Sequence, residues 1–134
     1  MRVGLLRTVG AATALYGFAV TVRPALLAAP SGLVDAEGGT AEHTLTSLRP
    51  LAWRDMVSGL AVLTAPRGAA LTTAALVRIG ADFGDALLLG CTLPDRATRA
   101  KAVAVSVGWG ALSVAGLLTS GRARTKGVGG RAQA

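Results

Sequence analysis

Residues 69–91 read AALTTAALVRIGADFGDALLLGC, and this stretch decides the fold. It is almost wholly apolar and long enough for a membrane-spanning helix, which takes about 20 residues. Arg78, Asp82 and Asp85 lie within it, at spacings that place all three on one stripe of a helix. A charged side chain at the bilayer centre costs about 2.5–3.5 kcal/mol on insertion scales, so such a stripe turns toward other helices and pairs.

The opposite face of the same stretch carries Gly80 and Gly84. Small residues at this spacing let the backbones of two membrane helices approach closely. We therefore expect helix packing at Gly80 and Gly84. With charges on one face and glycines on the other, this helix is expected to be the central one.

Three further apolar stretches, residues 9–29, 51–65 and 102–120, complete the pattern. The second is short for a span, but a predicted turn at residues 66–68 joins it to the deciding stretch as a helical hairpin. The sequence thus predicts an all-α fold, a four-helix transmembrane bundle over residues 1–120.

Two segments of the chain are predicted to lie outside the helices. Residues 31–49 contain several glycines and acidic residues, which indicate a polar loop. Residues 121–134 are mostly Gly, Arg, Lys and Ala with nothing that could pack, so they are predicted to be a basic disordered tail.

Charged side chains in the predicted hairpin lie at matching distances from its turn. Asp55 precedes Pro66 by 11 residues, and Arg78 follows Arg67 by 11 residues. At about 1.5 Å per residue, Asp55 and Arg78 are therefore level with each other. A cluster of three arginines and three aspartates, neutral overall, is expected inside the bundle: Arg23, Arg54, Asp55, Arg78, Asp82 and Asp85.

Two interpretations of this cluster stay open. The preferred one is a self-satisfied network of ion pairs that fixes the register of the helices and has no other role. The alternative is a polar cavity that binds a small ligand or handles protons. Asp82 and Asp85 lie close enough to share a proton, but no nucleophile or metal site accompanies them, so no enzyme is predicted.

Composition agrees with a membrane location. Hydrophobic residues make up 51% of the chain and aromatic residues only 4%, so Ala, Leu and Val supply the apolar mass. The mean hydropathy of +0.53 is also above that of most soluble domains. The lipid bilayer is therefore the expected partner, with another membrane protein or a second copy of the chain as a further possibility.

The formal net charge of +7 arises mostly near the ends of the chain. Arg2 and Arg7 precede the first apolar stretch, and residues 121–127 follow the last one. Positive charge that flanks apolar stretches marks the cytoplasmic side of a membrane protein. The sequence predicts a multi-pass protein of the cell membrane with both termini in the cytoplasm, and no nucleic-acid partner.

Cys91 is the only cysteine of the chain. One thiol excludes an intramolecular disulfide, a cysteine zinc site and a pair of redox thiols. His43 is also alone, among acidic neighbours in the predicted loop. No metal site and no cofactor are therefore predicted.

A competing interpretation of the N-terminus is a secretory signal peptide. Two arginines, an apolar run and the sequence Leu27-Ala28-Ala29-Pro30 resemble one. Arg23 within the run and the proline at the expected cleavage site argue against cleavage. Whether the first helix is ever removed stays open.

Three aromatic side chains could lie at the membrane surface. Trp53 is near the start of a predicted helix and fits an interfacial anchor, a role also open to Tyr16. Trp109 lies in the middle of the fourth stretch, where packing or lipid contact is expected.

Short motifs on these helices resemble a family of small bacterial membrane proteins known only as a domain of unknown function. The likeness covers about residues 10–118. It rests on an Arg-Asp-x-x-x-Gly-Leu element at residues 54–60, an Arg-x-x-x-Asp-x-x-Asp element at residues 78–85, and the pair Arg23-Pro24. The architecture is also similar, more loosely, to DoxX-like four-helix proteins. The resemblance implies four membrane helices and no particular catalytic activity.

Overall fold

Five α-helices make up most of residues 1–119, the part of the chain that the computed structural model describes. They are α1 (Val3–Val22), α2 (Ala25–Ala28), α3 (Glu42–Thr64), α4 (Ala69–Thr92) and α5 (Arg96–Leu118). No strand occurs among these residues, so the all-α prediction is confirmed. The predicted tail, residues 121–134, lies outside the described residues.

The first apolar stretch is divided by Pro24. Its ring lacks a backbone N–H, and it biases the preceding residue away from helical geometry. Accordingly α1 ends at Val22, Arg23 adopts a non-helical conformation, and α2 adds a single turn beyond the break. One continuous helix over residues 9–29 is therefore not formed.

The third helix begins much earlier than expected. It starts at Glu42, so the prediction of a polar loop over residues 31–49 is wrong from Glu42 onward. Leu48 and Ala52, four residues apart, are both buried and give this extension an apolar side. With its additional turns α3 is long enough to cross a bilayer.

Helix α1 packs more extensively on α3 than on any other helix. Three glycines allow this contact because each faces the backbone of the other helix. A methyl group added at Gly59 would lie 2.5 Å from the Ala14 nitrogen, and one at Gly10 would lie 2.8 Å from the Gly59 carbonyl oxygen. Gly17 meets the Met56 backbone in the same way. None of these three glycines was expected to be a packing residue.

The long helices contact one another in a ring. Besides the α1–α3 pair, α4 packs on α5, α3 contacts α4, and α5 contacts α1. Gly110 of α5 lies against the Phe83 ring of α4, and Gly116 lies against Leu6 of α1. The prediction of α4 as the central helix is wrong, because α1 contacts three other helices, α2, α3 and α5.

The predicted packing role of Gly80 and Gly84 is not observed. A methyl group added at either glycine would find no heavy atom within 4 Å among the described residues. These glycines face away from the rest of the chain, because the partners of α4 lie on its charged side and beside Phe83.

Polar side chains form hydrogen bonds with the free backbone groups at two helix ends, the C-terminus of α3 and the N-terminus of α5. Arg7 of α1 donates hydrogen bonds to the carbonyls of Val62, at 2.8 Å, and of Leu63 and Ala65 in the last turn of α3. Asp95 caps α5 by accepting a 2.7 Å hydrogen bond from the Thr98 backbone N–H. That hydrogen bond holds the pKa of Asp95 below its usual value.

The predicted turn between α3 and α4 is confirmed. Helix α3 ends at Thr64 and α4 begins at Ala69, with Pro66 and Gly68 between them. Gly68 has a φ of 103°, which a residue with a side chain rarely adopts. The hairpin therefore depends on a glycine at this position.

Two helices, α1 and α5, are long and apolar enough to cross a membrane. Helix α4 is longer, with 24 residues, but carries Arg78, Asp82 and Asp85. Membrane association is thus supported by length and composition for two of the four long helices.

We predict that Gly59→Ala destabilises the protein whereas Gly80→Ala does not. The Gly59 methyl group would press on the α1 backbone, and overpacking of this kind lowers the free energy of unfolding by about 1–3 kcal/mol. Gly80 has open space around it, and alanine there gains helix propensity. Thermal unfolding of the purified variants measures both effects, and equal melting temperatures would contradict the close α1–α3 contact.

Candidate functional site

Within residues 1–119, the most deeply buried charges form a pair in α4. Arg78 is 4% exposed and Asp82 is 2% exposed. The Arg78 Nε donates a 3.1 Å hydrogen bond to Asp82 Oδ2, and Nη2 donates to Oδ1. This two-point contact is possible because residues four apart in a helix lie on the same face.

The same arginine joins α4 to α3. Arg78 Nη1 donates to Asp55 Oδ1 at 2.9 Å and to Ser58 Oγ at 3.2 Å. The prediction that Asp55 and Arg78 lie at the same depth in the hairpin is therefore confirmed. Ser58 lies one helical turn after Asp55, so a single guanidinium reaches both.

A second arginine pairs α3 with α4 one turn further from the hairpin turn. Arg54 Nη1 donates to Asp85 Oδ1 at 2.9 Å, and Nη2 donates to Oδ2 at 2.5 Å. Its Nη2 and Nε also contact Asp55 Oδ1, at 3.0 and 3.3 Å. Asp55 Oδ1 is thus shared by Arg54 and Arg78 and bridges the two ion pairs.

Arg23 does not join this cluster, contrary to the sequence prediction. The side chain is exposed and makes no ion pair within residues 1–119. It lies at the break caused by Pro24, after the last helical residue of α1. The ion-pair network therefore contains two arginines and three aspartates, and its formal charge is 2 − 3 = −1 instead of zero.

The network forms one wall of a cavity of about 260 Å³. Helices α1 and α5 also supply lining residues, so all four long helices contribute to it. Asp55, Arg78, Asp82 and Asp85 line the charged side. The other lining residues are Thr13, Tyr16, Val105, Ser106 and Trp109.

Thr13 brings a buried hydroxyl group to this cavity. Thr13 is 5% exposed, and its Oγ1 has no hydrogen-bond partner among the described residues. By contrast, Thr8 and Thr21 of the same helix donate to the carbonyl four residues earlier, at 3.1 and 2.8 Å. Every fully enclosed polar side-chain atom among the described residues has a hydrogen-bond partner. The Thr13 hydroxyl has none, so it is not fully enclosed, and it is reached from the cavity that Thr13 lines.

Five lining residues were not predicted to belong to the site: Thr13, Tyr16, Val105, Ser106 and Trp109. Trp109 was expected to pack or to contact lipid, and instead lines the cavity, half-buried. Helical spacing in the sequence relates four of these residues, because Thr13 and Tyr16 are three residues apart and so are Ser106 and Trp109. Each pair therefore lies on one face of its helix.

Metal binding has no support in the described residues. Within residues 1–119, no group of three or more His, Cys, Asp or Glu side chains is arranged to hold a metal ion. Cys91 is exposed near the end of α4, away from the cavity. The chemistry of the site therefore rests on carboxylates, guanidinium groups, hydroxyls and two aromatic rings.

The chain matches no family model, no curated protein and no solved structure. The resemblance carried by residues 54–60 and 78–85 stays a prediction. Both motifs lie in the ion-pair network, since their charged members are Arg54, Asp55, Arg78, Asp82 and Asp85.

We predict strong coupling between Arg78 and Asp82 in a double-mutant cycle. Arg78→Met alone leaves a buried carboxylate without its partner and lowers the free energy of unfolding by about 3–5 kcal/mol. The double variant Arg78→Met/Asp82→Leu removes both charges and recovers most of that loss. Chemical denaturation in detergent micelles measures the cycle.

Arg49→Met is the matched control, since Arg49 lies on α3 but is exposed and forms no ion pair with the described residues. This variant is expected to unfold as the unmodified protein does. Additive losses at Arg78 and Asp82 would contradict the pairing.

Proposed function

We propose that this protein is an integral membrane protein whose cavity between α1, α3, α4 and α5 binds a small ligand. The four long helices are the spans of a four-helix transmembrane bundle. The observation that carries the proposal is the cavity itself, since charged side chains line it beside the Thr13 hydroxyl, which has no described hydrogen-bond partner.

A lipid environment is supported by two features, buried charged side chains and large apolar side chains on the surface. Arg78 and Asp82 lie inside, while Leu87 of the same helix is 68% exposed and Leu118 of α5 is 78% exposed. Large apolar surfaces of this kind are rare on soluble monomers. Lipid around the helices accounts for both features, because it solvates leucine and excludes ionised groups.

The proposed topology places both termini in the cytoplasm of a cell-membrane protein. Four spans, an even number, return the chain to the side on which it began. Arg2 before α1 and the basic residues that follow α5 agree with a cytoplasmic location for that side.

A role confined to holding the helices together accounts for only part of the geometry. The ion pairs of Arg54 with Asp85 and of Arg78 with Asp55 connect α3 to α4. A network with only that role is expected to be surrounded by packed side chains, because buried charges gain most from full pairing in a dry site. Here an unfilled space of about 260 Å³ adjoins Asp55, Asp82 and Asp85, which leaves room for water or a small ligand beside ionised groups.

Proton handling is a second candidate, favoured by the excess of carboxylates. Three aspartates share two arginines, so one carboxylate can take up a proton without leaving an arginine unpaired. Enzymatic activity is not proposed, since no side-chain hydroxyl among the described residues donates a hydrogen bond to one of these carboxylates, which would be needed to activate it as a nucleophile.

We predict that thiols introduced into the cavity react with charged, membrane-impermeant methanethiosulfonate reagents. Ser106→Cys and Thr13→Cys, in a Cys91→Ala background, change each side chain little and should preserve the fold. Both are expected to be modified in reconstituted vesicles by the cationic or the anionic reagent, because a site that binds small ligands is reached from water.

The matched control is Leu87→Cys, which lies on the outward face of α4 and is expected to be protected by lipid. If Ser106→Cys and Thr13→Cys stay unmodified while reacting fully after denaturation, the cavity is closed to water and the proposed function is wrong. Mass spectrometry of the intact protein gives the extent of reaction.

A further inference from the structure

We infer that the cavity takes a small organic cation, an ammonium compound of low molecular weight. This inference rests on the proposed ligand-binding function and goes further by assigning the chemical class of the ligand. It is carried by the charge of the cavity wall, by one unused carboxylate oxygen and by two aromatic rings.

The charge of the network disfavours an anion. Every nitrogen atom of the Arg78 guanidinium already donates a hydrogen bond, to Asp82, Asp55 or Ser58. Every nitrogen of the Arg54 guanidinium likewise donates, to Asp85 or Asp55. An anion in the cavity would meet three carboxylates against two guanidinium groups that already pair with them, whereas a cation would bring the formal charge of −1 to zero.

Asp55 presents an unused acceptor to the cavity. All hydrogen bonds from Arg54 and Arg78 to this residue converge on Oδ1. Its Oδ2 accepts none from the described residues, and the side chain keeps 19% of its surface exposed. An ionised carboxylate favours a nearby cation, and the low dielectric of a bundle interior strengthens that attraction.

Two aromatic rings among the lining residues suit the same class of ligand. Tyr16 of α1 and Trp109 of α5 both line the cavity. A cation over the face of an aromatic ring gains about 0.5–1 kcal/mol at exposed sites and about 2 kcal/mol or more where water is excluded, with Trp the best ring. Carboxylates and aromatic rings in one cavity therefore favour a cation that carries apolar groups.

The size of the cavity restricts the ligand further. Its volume of about 260 Å³ is just below the range of roughly 300–1,000 Å³ typical of ligand pockets, so the ligand has few carbon atoms. A bare hard metal ion suits the site less well. Calcium takes six to eight oxygen ligands, and two guanidinium groups already occupy oxygens of the three aspartates.

Tryptophan fluorescence tests the inference directly, because only one of the two tryptophans lines the cavity. Trp53→Phe leaves Trp109 as the single reporter, and Trp109→Phe leaves Trp53, exposed on α3, as the matched control. Choline and its uncharged isostere, 3,3-dimethylbutan-1-ol, are the probes. Choline is expected to change Trp109 fluorescence saturably, with an affinity at least about tenfold above that of the isostere, and to leave Trp53 unchanged.

Substitution at Asp55 tests the origin of the selectivity. Asp55→Asn removes the excess negative charge and is expected to lower choline affinity about tenfold while leaving the isostere unaffected. Asp35→Asn, in an exposed loop, is the matched control and should bind choline normally. A second measurement leaves every residue of the network unchanged. It compares the rates at which the cationic and the anionic methanethiosulfonate reagents modify Ser106→Cys. The ratio of the cationic to the anionic rate is expected to be higher in the folded than in the denatured protein.

The experiments distinguish failure of the organic-cation inference from failure of the proposed ligand cavity. Equal affinity for choline and its isostere, no response to choline at Trp109, or faster reaction of the anionic reagent overturns the organic-cation inference. The proposed ligand cavity survives those results, because it depends on whether Ser106→Cys and Thr13→Cys react at all. Failure of that reaction is the separate result that removes the proposed function.

Discussion

The bridge made by Asp55 between Arg54 and Arg78 is the interaction on which the rest of the structure depends. One carboxylate oxygen accepts hydrogen bonds from both guanidinium groups, which in turn hold Asp85 and Asp82 of the neighbouring helix. Together with the pair of Arg54 and Asp85, this bridge fixes the register of α3 against α4. In the proposed membrane location, pairing between side chains lowers the cost of placing these charges inside the helix bundle.

The shape of the cavity follows from the way the other helices pack around this bridge. Glycines at the α1–α3 contact bring the two backbones together, and this approach places Thr13 and Tyr16 of α1 near the charged side chains. Helix α5 closes the ring through its contacts with α4 and α1. The same ion pairs thus stabilise the fold and line the space that we propose for a ligand.

Helical spacing in the sequence was sufficient to predict the charged half of the site. Asp82 is one turn after Arg78, and the symmetric hairpin places Asp55 level with Arg78. Arg23 could not be excluded in this way, because its position depends on where Pro24 ends α1. Gly80 and Gly84 could not be distinguished from the true packing glycines, since small residues occur throughout the chain and only the arrangement of helices selects which are used. The inward direction of Trp109 likewise depends on the rotation of α5.

The central claim is that lipid surrounds the helices and confines their charges to the interior. Flotation of membranes on a density gradient, after an alkaline carbonate wash of lysed expressing cells, tests it most directly. The account predicts that the chain floats with the lipid and leaves it only when detergent is added, whereas aggregated protein would sediment. Recovery of the chain as a soluble, folded monomer in the carbonate supernatant would contradict the account.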